Sequence, residues 1–158
     1  MPDTTQPIFT DLFERTLDAG QRVVLPKDWR DQGITELFMI SDSTGSFIKV
    51  FPRAEYDKAV AKIVNDTTLN EKVRGQHLEE IGSECKRVKL DNANRLVLPD
   101  QLCADIGVSS DKPSLVLKGA VNTFNIWNPA KLANHAAARK ALAAAGTPAM
   151  SAKEFLGV

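Results

Sequence analysis

Cysteine is scarce in this 158-residue chain, and Cys85 and Cys103 do not have the close paired spacing of a metal knuckle. With no secretion signal, they read as reduced thiols in a cytoplasm and as plain small apolar side chains. Histidine is equally rare. His77 and His135 stand far apart without a third ligand, so both are expected on the surface and no metal site is expected. No apolar run reaches the roughly 18–20 residues of a membrane span. The opening MPDTTQPIF lacks a basic n-region and an apolar h-region, so no membrane association is expected. An excess of either charge is missing too: 20 Lys and Arg balance 20 Asp and Glu, which gives the whole chain no electrostatic signature of nucleic acid. No nucleophile–base pair, phosphate-binding loop or cofactor motif is visible. What is present, 43% apolar and 25% charged residues, describes a soluble globular protein. The length allows one good core or two small ones of roughly 70 residues, and units that small need close packing or oligomerisation.

Self-similarity is the strongest signal. Leu17-Asp-Ala-Gly-Gln-Arg-Val-Val-Leu-Pro26 aligns with Leu90-Asp-Asn-Ala-Asn-Arg-Leu-Val-Leu-Pro99, sharing Leu, Asp, Arg, Val, Leu and Pro in register. Each proline opens a short stretch ending in glycine, PKDWRDQG (Pro26–Gly33) and PDQLCADIG (Pro99–Gly107). Proline suits the first helical turn and glycine the end of a helix, so each stretch reads as a short helix. Then come paired strands, LFMIS with Phe47–Pro52 and SLVLKG with Phe124–Pro129, joined by the turn-rich links Asp42–Ser46 and Gly119–Thr123. A helix closes each copy, Arg53–Val64 and Pro129–Ala145; the first sets Ala54, Tyr56, Ala59, Val60 and Ile63 on one face. The expected organisation is a first unit over 7–64, a connecting helix within 65–82 (centred on Thr67–Ile81), a second unit with its helix over 83–145, and a loose tail over 146–158.

Between the first two strands of each copy lies Asp-x-x-x-Arg: Asp18 with Arg22, and Asp91 with Arg95. The bridging residues are small or turn-prone, so the chain reverses there. An Asp at the start of the turn accepts backbone N–H groups, and the Arg four residues on folds back to it. The result is a rigid loop holding a cation at a fixed place, suited to phosphate or base edges because little entropy is lost on contact. The plainer reading, an internal clasp, stands beside it, since a lone Asp-x-x-x-Arg is a weak signal. Both regions are locally cationic. Arg15, Arg22, Lys27 and Arg30 face Asp18 and Asp28; Lys86, Arg87, Lys89 and Arg95 face Glu84 and Asp91. Strand-edge lysines that block unwanted pairing are the alternative reading of these cations.

Taken together, LDAGQRVVLPKDWR, VKLDNANRLVLPDQL and LVLKGAVNTFNIWNPAKL resemble the MraZ family of bacterial transcriptional regulators, over about residues 8–135. The resemblance implies a mainly β fold with short helices (β+α). Its two tandem AbrB/SpoVT-type swapped-hairpin units would form a pseudo-symmetric barrel with the helices outside. It also implies a cytoplasmic, nucleoid-associated repressor that binds double-stranded DNA at promoter repeats of a division and cell-wall gene cluster, as a ring-like homo-oligomer, without cofactor or small-molecule substrate. Arg22, Arg15, Lys27, Arg30 and Arg95 are then the expected DNA-binding residues, with Asp18 and Asp91 bracing the turns. The first copy, where Arg22, Lys27 and Arg30 occur together, is the expected DNA side. Two departures stand out: the family places glycine before the motif arginine, where this chain has Gln21 and Asn94. Gly20 is expected to compensate by shifting where the first turn reverses.

Two other readings are weighed. A duplicated aspartate suggests the shared-proton dyad of an aspartic protease. Here, however, Asp-Ala-Gly and Asp-Asn-Ala replace the usual Asp-Thr/Ser-Gly, and a neighbouring arginine keeps each carboxylate ionised, so no enzyme is expected. The second is a swapped-hairpin oligomeric scaffold or protein-interaction module that has lost DNA binding. Trp127 is expected as a core or subunit-contact anchor; Trp29, beside the motif, is expected to be similar.

Overall fold

The computed structural model describes residues 6–108, 111, 113–145 and 152–157. In chain order the first half runs β1 (Leu12–Thr16), β2 (Arg22–Val24), α1 (Lys27–Arg30), β3 (Glu36–Ser41), β4 (Phe47–Phe51) and α2 (Arg53–Val64). After α3 (Glu71–Glu84) the second half repeats the order: β5 (Lys86–Lys89), β6 (Arg95–Val97), α4 (Asp100–Asp105), β7 (Ser114–Gly119), β8 (Phe124–Trp127) and α5 (Pro129–Ala144). Residues up to Asn128 form one compact unit and Pro129–Val158 a second, which holds the alanine-rich α5 and the short α6 (Ala152–Phe155). The loose tail expected over 146–158 falls largely outside the described residues, and where it is described, Ala152–Phe155 is helical.

The fold is a β sheet with a few helices, of which α2, α3 and α5, at 12, 14 and 16 residues, are longer than the short helices expected. Six strands form one antiparallel sheet in the order β1-β7-β8-β4-β3-β5, which reads the same when the halves are interchanged. The first strand of each half pairs with the third strand of the other: β1 lies on β7 (Phe13 opposite Leu117) and β5 on β3 (Val88 opposite Leu37). Outside this sheet, β2 pairs only with β6, as Arg22↔Val97, Val23↔Leu96 and Val24↔Arg95. The crossing is fixed just before each motif, where Leu17 N–H donates to Pro113 O at 3.0 Å and Leu90 N–H to Thr35 O at 3.0 Å. Among the described residues the strands do not close into the expected barrel. β1 and β5 remain sheet edges, and the three-residue β2–β6 ribbon is a separate ladder. The break follows from the motifs, because each Asp-x-x-x-Arg turn interrupts the chain before its pairing can continue.

Between ribbon and sheet lies one continuous core. Alternation puts Val23 and Leu96 inward, where they meet Phe9, Leu17, Met39, Ile48, Leu117, Phe124 and Ile126, all essentially inaccessible. Each such side chain contributes roughly 1.5–3 kcal/mol by leaving water. Trp29 plugs the first half from α1, with its ring 4.7 Å from Phe124 and 5.4 Å from both Phe9 and Phe13. Its indole Nε1–H donates to Thr10 O at 2.9 Å, so its polar atom is satisfied inside. The expected apolar face of α2 is half-buried, and Tyr56 stacks on Phe38 at 4.3 Å. Helix α3 starts at Glu71 rather than Thr67 because Asn70 caps it, accepting Val73 N–H at 2.8 Å.

Candidate nucleic-acid interface

The two Asp-x-x-x-Arg turns make the same set of bonds. Asp18 Oδ1 accepts Gly20 N–H at 2.9 Å and Arg22 N–H at 2.8 Å, while Oδ2 accepts Arg22 Nε at 2.9 Å. Asp91 Oδ1 accepts Ala93 N–H and Arg95 N–H, both at 2.9 Å, and its Oδ2 accepts Arg95 Nε at 2.8 Å. Backbone bonds between positions one and five, and one and four, close each turn. Both carboxyls are held below the ordinary value: Asp18 first by the Arg22 backbone N–H, Asp91 first by that of Arg95, with the guanidinium charge adding in each. The clasp therefore exists in both halves, and it orients the arginine as well as bracing the loop.

Gly20 does not move the reversal. The left-handed residues are Gln21 (φ 59°) and Asn94 (φ 58°), the positions before the arginines. This corrects the expected compensation. The turn geometry is set by the aspartate's three acceptor contacts, which leave position four no other backbone choice, so glutamine adopts a conformation that L-residues resist. Gly20 instead borders the arginine: a Cβ there would lie 3.0 Å from Arg22 Nε.

Antiparallel pairing of β2 with β6 brings the loops side by side. Leu98 N–H donates to Gln21 O at 2.8 Å and Leu25 N–H to Asn94 O at 3.2 Å, extending the ribbon past both ends. Arg95 Nη1 reaches Asp18 Oδ2 at 3.9 Å, an ion pair from one loop to the other. The outward face alternates with the buried one and presents Arg22, Val24, Arg95 and Val97; the two valines are 41% and 45% exposed. Sequence reasoning missed these valines, although period-two alternation from buried Val23 and Leu96 could have found them.

The other expected residues separate. Arg15 lies on β1, donating Nε to Val24 O at 3.2 Å and Nη1 to Glu14 O at 3.0 Å, so it straps the sheet to the ribbon. Lys27 is exposed and Arg30 half-buried, both on α1. Lys27 follows β2, which runs from its own loop towards the other one, so the register sets it further along the ribbon than Arg22. The register carries Lys27 to the loop of Arg95, while Asp100 borders an open depression of about 380 Å³ with Gly20 and Gln21. Lys86, Arg87 and Lys89 lie on the sheet edge β5, which pairs with β3 and not with the ribbon, and Arg87 is paired to Glu36 at 2.6 Å. Trp29 and Trp127 are buried, and Trp29 is therefore not on this face. Burial pushes the Cys85 thiol up to about 11; burial, with the Asp100 charge adding, raises Cys103 as well. Both thiols are protonated at neutral pH and are poor nucleophiles.

No family model matches the chain. Curated relatives do, over nearly the whole length of each. The chain is 24% identical over 150 residues to the transcriptional regulator MraZ of Caulobacter vibrioides, covering 93% of this chain and 94% of that protein. It is 26% identical over 139 residues to the MraZ of Treponema pallidum, covering 88% and 91%. To that of Pediococcus pentosaceus it is 23% identical over 124 residues, covering 78% and 83%. These relatives come from different bacteria, and each match extends over both halves of the chain. With its two braced Asp-x-x-x-Arg turns, the chain is similar over most of its length to transcriptional regulators of the MraZ family.

Proposed function

We propose that the chain is a sequence-specific DNA-binding transcriptional regulator whose outward β2–β6 ribbon, with its two loops, contacts duplex DNA. One observation carries the reading: both motif arginines lie on one narrow face, each held through Nε by its own aspartate. A guanidinium has five N–H donors, so fixing Nε leaves the terminal nitrogens oriented for a phosphate or the bidentate edge of guanine. A two-stranded ribbon fits the major groove, and Val24 and Val97 add apolar contact of the kind that recognises a thymine methyl. The names of the relatives, all transcriptional regulators, support the same reading. The crossed strands β1–β7 and β5–β3 accord with two swapped-hairpin units, of residues 7–64 and 83–145, joined through 65–82.

A neutral chain with one such face binds weakly, because appreciable affinity draws on several phosphates. A ring-like homo-oligomer repeats the face and matches it to direct repeats, here those of a division and cell-wall promoter, where binding represses. Exposed Ile8, Leu12 and Val121, with the open edge of β1, supply apolar and backbone surface for that assembly. Arg22→Ala is expected to weaken mobility-shift affinity for the chain's upstream repeats by about tenfold or more, with the circular dichroism spectrum intact. Unchanged affinity in the folded variant sinks the assignment. The ion pairing of both arginines favours one rival, an oligomeric scaffold without DNA binding; an intact oligomer that retards no duplex at low salt would establish it.

A further inference from the structure

The ribbon is symmetric in its hydrogen bonds and asymmetric in its flanks. Interchanging the halves exchanges Arg22 with Arg95 and Asp18 with Asp91, so the loops match in charge. The same operation exchanges Lys27 with Asp100, Asp28 with Gln101, and Arg15 with Val88. Because the strands are antiparallel, each flank lies beside the opposite loop, as the Leu25–Asn94 and Leu98–Gln21 bonds require. One end of the ribbon thus gathers Arg95, Lys27 and Arg15, whose Nε bonds the carbonyl of Val24, the residue opposite Arg95. Asp91, Asp28 and Glu14 are the acids of the same segments; Glu14 neighbours Arg15 on β1, where strand alternation turns its side chain to the other face. The other end has Arg22 with Asp18, and exposed Asp100 beside Gly20 and Gln21.

We infer that Asp100 and Lys27 give the ribbon a fixed polarity on the duplex: the Arg95–Lys27 end rests on phosphates, and the Arg22–Asp100 end faces base edges. The inference rests on the DNA-binding reading above and adds the orientation that reading lacks. Its physical basis is the sign of the flanks. A carboxylate set against phosphates is a like-charge contact, which interfaces avoid at a cost of several-fold to many-fold in affinity. Over a base edge the same carboxylate is an acceptor for the exocyclic amine of cytosine. From the Leu98–Gln21 bond to the Leu25–Asn94 bond the ribbon advances four residues, about 13 Å at the usual strand rise. That is close to the roughly 12 Å width of a major groove, so an end seated on one phosphate ridge carries the other end across the groove. Arg22 is thereby the base-reading arginine and Arg95 the backbone-positioning one.

The test is a salt series of mobility shifts on two duplexes of equal length, one from the chain's own upstream region and one unrelated. Wild type, Asp100→Lys, Lys27→Ala and the charge-matched control Glu79→Lys are compared; Glu79 is exposed on α3. Asp100→Lys is expected to bind the unrelated duplex several-fold more tightly and to steepen the dependence of log affinity on log salt by about one, the value of one added phosphate contact. Its preference for the upstream duplex falls. Lys27→Ala is expected to flatten the slope by about the same amount while keeping the preference. If Asp100→Lys merely repeats Glu79→Lys, and Lys27→Ala leaves the slope alone, the polarity is wrong although DNA binding stands. If the wild type retards neither duplex at low salt, the DNA reading falls and takes the polarity with it.

Discussion

The first half of the chain and the second make the same turn from different residues, and their differences separate what the turn requires from what it tolerates. Each spends one aspartate on two backbone N–H groups and one guanidinium, within 0.1 Å of the same distances. Around that constant, the first half fills its core with Trp29 where the second has Leu102, and it forces Gln21 into the left-handed region where the second has Asn94. The aspartate–arginine geometry is therefore the requirement, while plug, hinge residue and flanking charge are free to vary. Substitutions that exchange the halves' features test this from the core outward.

The largest effect is expected at the plug. Trp29→Ala should cost about 3–5 kcal/mol and Leu102→Ala about 2–4, because the tryptophan loses more contact and leaves Thr10 O without its donor. Urea midpoints measure both, and equal losses would mean that the two cores are not as unlike as their side chains.

Next come the clasps. Arg95 is bonded to Asp91 and also lies near Asp18, whereas among the described residues Arg22 pairs with Asp18 alone. Arg95→Ala should lower the melting temperature more than Arg22→Ala; the reverse order would show that the cross-loop contact carries nothing. Both aspartates titrate below the ordinary 3.8 in the fold, so on acidification the unfolded chain takes up their protons first. Their stabilisation is complete above about pH 5 and is lost as the pH falls through the lowered values, below about 4. Melting curves of wild type and Asp91→Asn should therefore differ by a constant amount from pH 5 to 8 and converge in acid. A gap that changes near pH 7 would point to another group.

Much of this was legible in the chain itself, for a physical reason. Duplication, the proline–helix–glycine stretches and the folded-back arginine are local, and local chemistry is written in neighbouring residues. Arg22 beside Asp18 could be read because four residues of turn connect them. Lys27 beside the second loop could not, because its place depends on which strand β2 pairs with. A five-residue separation looks like proximity in sequence and is not proximity along an extended strand. The same holds for Arg87, whose partner Glu36 is reached only through the β5–β3 pairing. Position four of the first turn misled differently: intrinsic preference assigned the reversal to Gly20, and the aspartate's hydrogen bonds overrode it.

That override has a measurable consequence. A glutamine held at φ 59° carries steric strain of about 1 kcal/mol, and asparagine at φ 58° carries less because it visits this region readily. Gln21→Gly should thus stabilise by up to about 1 kcal/mol, less whatever the 4.0 Å contact with the Cys103 thiol contributes. Asn94→Gly should gain about half as much or nothing, since glycine's freedom in the unfolded chain offsets the smaller relief. Denaturant melts of the two variants settle the order, and an equal gain would place the strain outside this residue.

The smallest effect tests the comparison most directly. Gly20 occupies the third position of its turn, where the second half has Ala93 with the same backbone bonds. An added Cβ meets Arg22 Nε at 3.0 Å and Asp18 Oδ1 at 3.4 Å, and the nearer atom belongs to a flexible side chain that can give by a few tenths of an ångström. Glycine is not at positive φ here, so alanine meets no backbone penalty and lowers the entropy of the unfolded chain. Gly20→Ala should therefore change stability by no more than about 0.5 kcal/mol in either direction. Binding should be equally unmoved if the guanidinium keeps its Nε bond, as Arg95 does over Ala93. A loss of duplex affinity in a variant of unchanged stability would show that the first loop needs room at this point which the second does not, and that Arg22 shifts its guanidinium on contact with DNA.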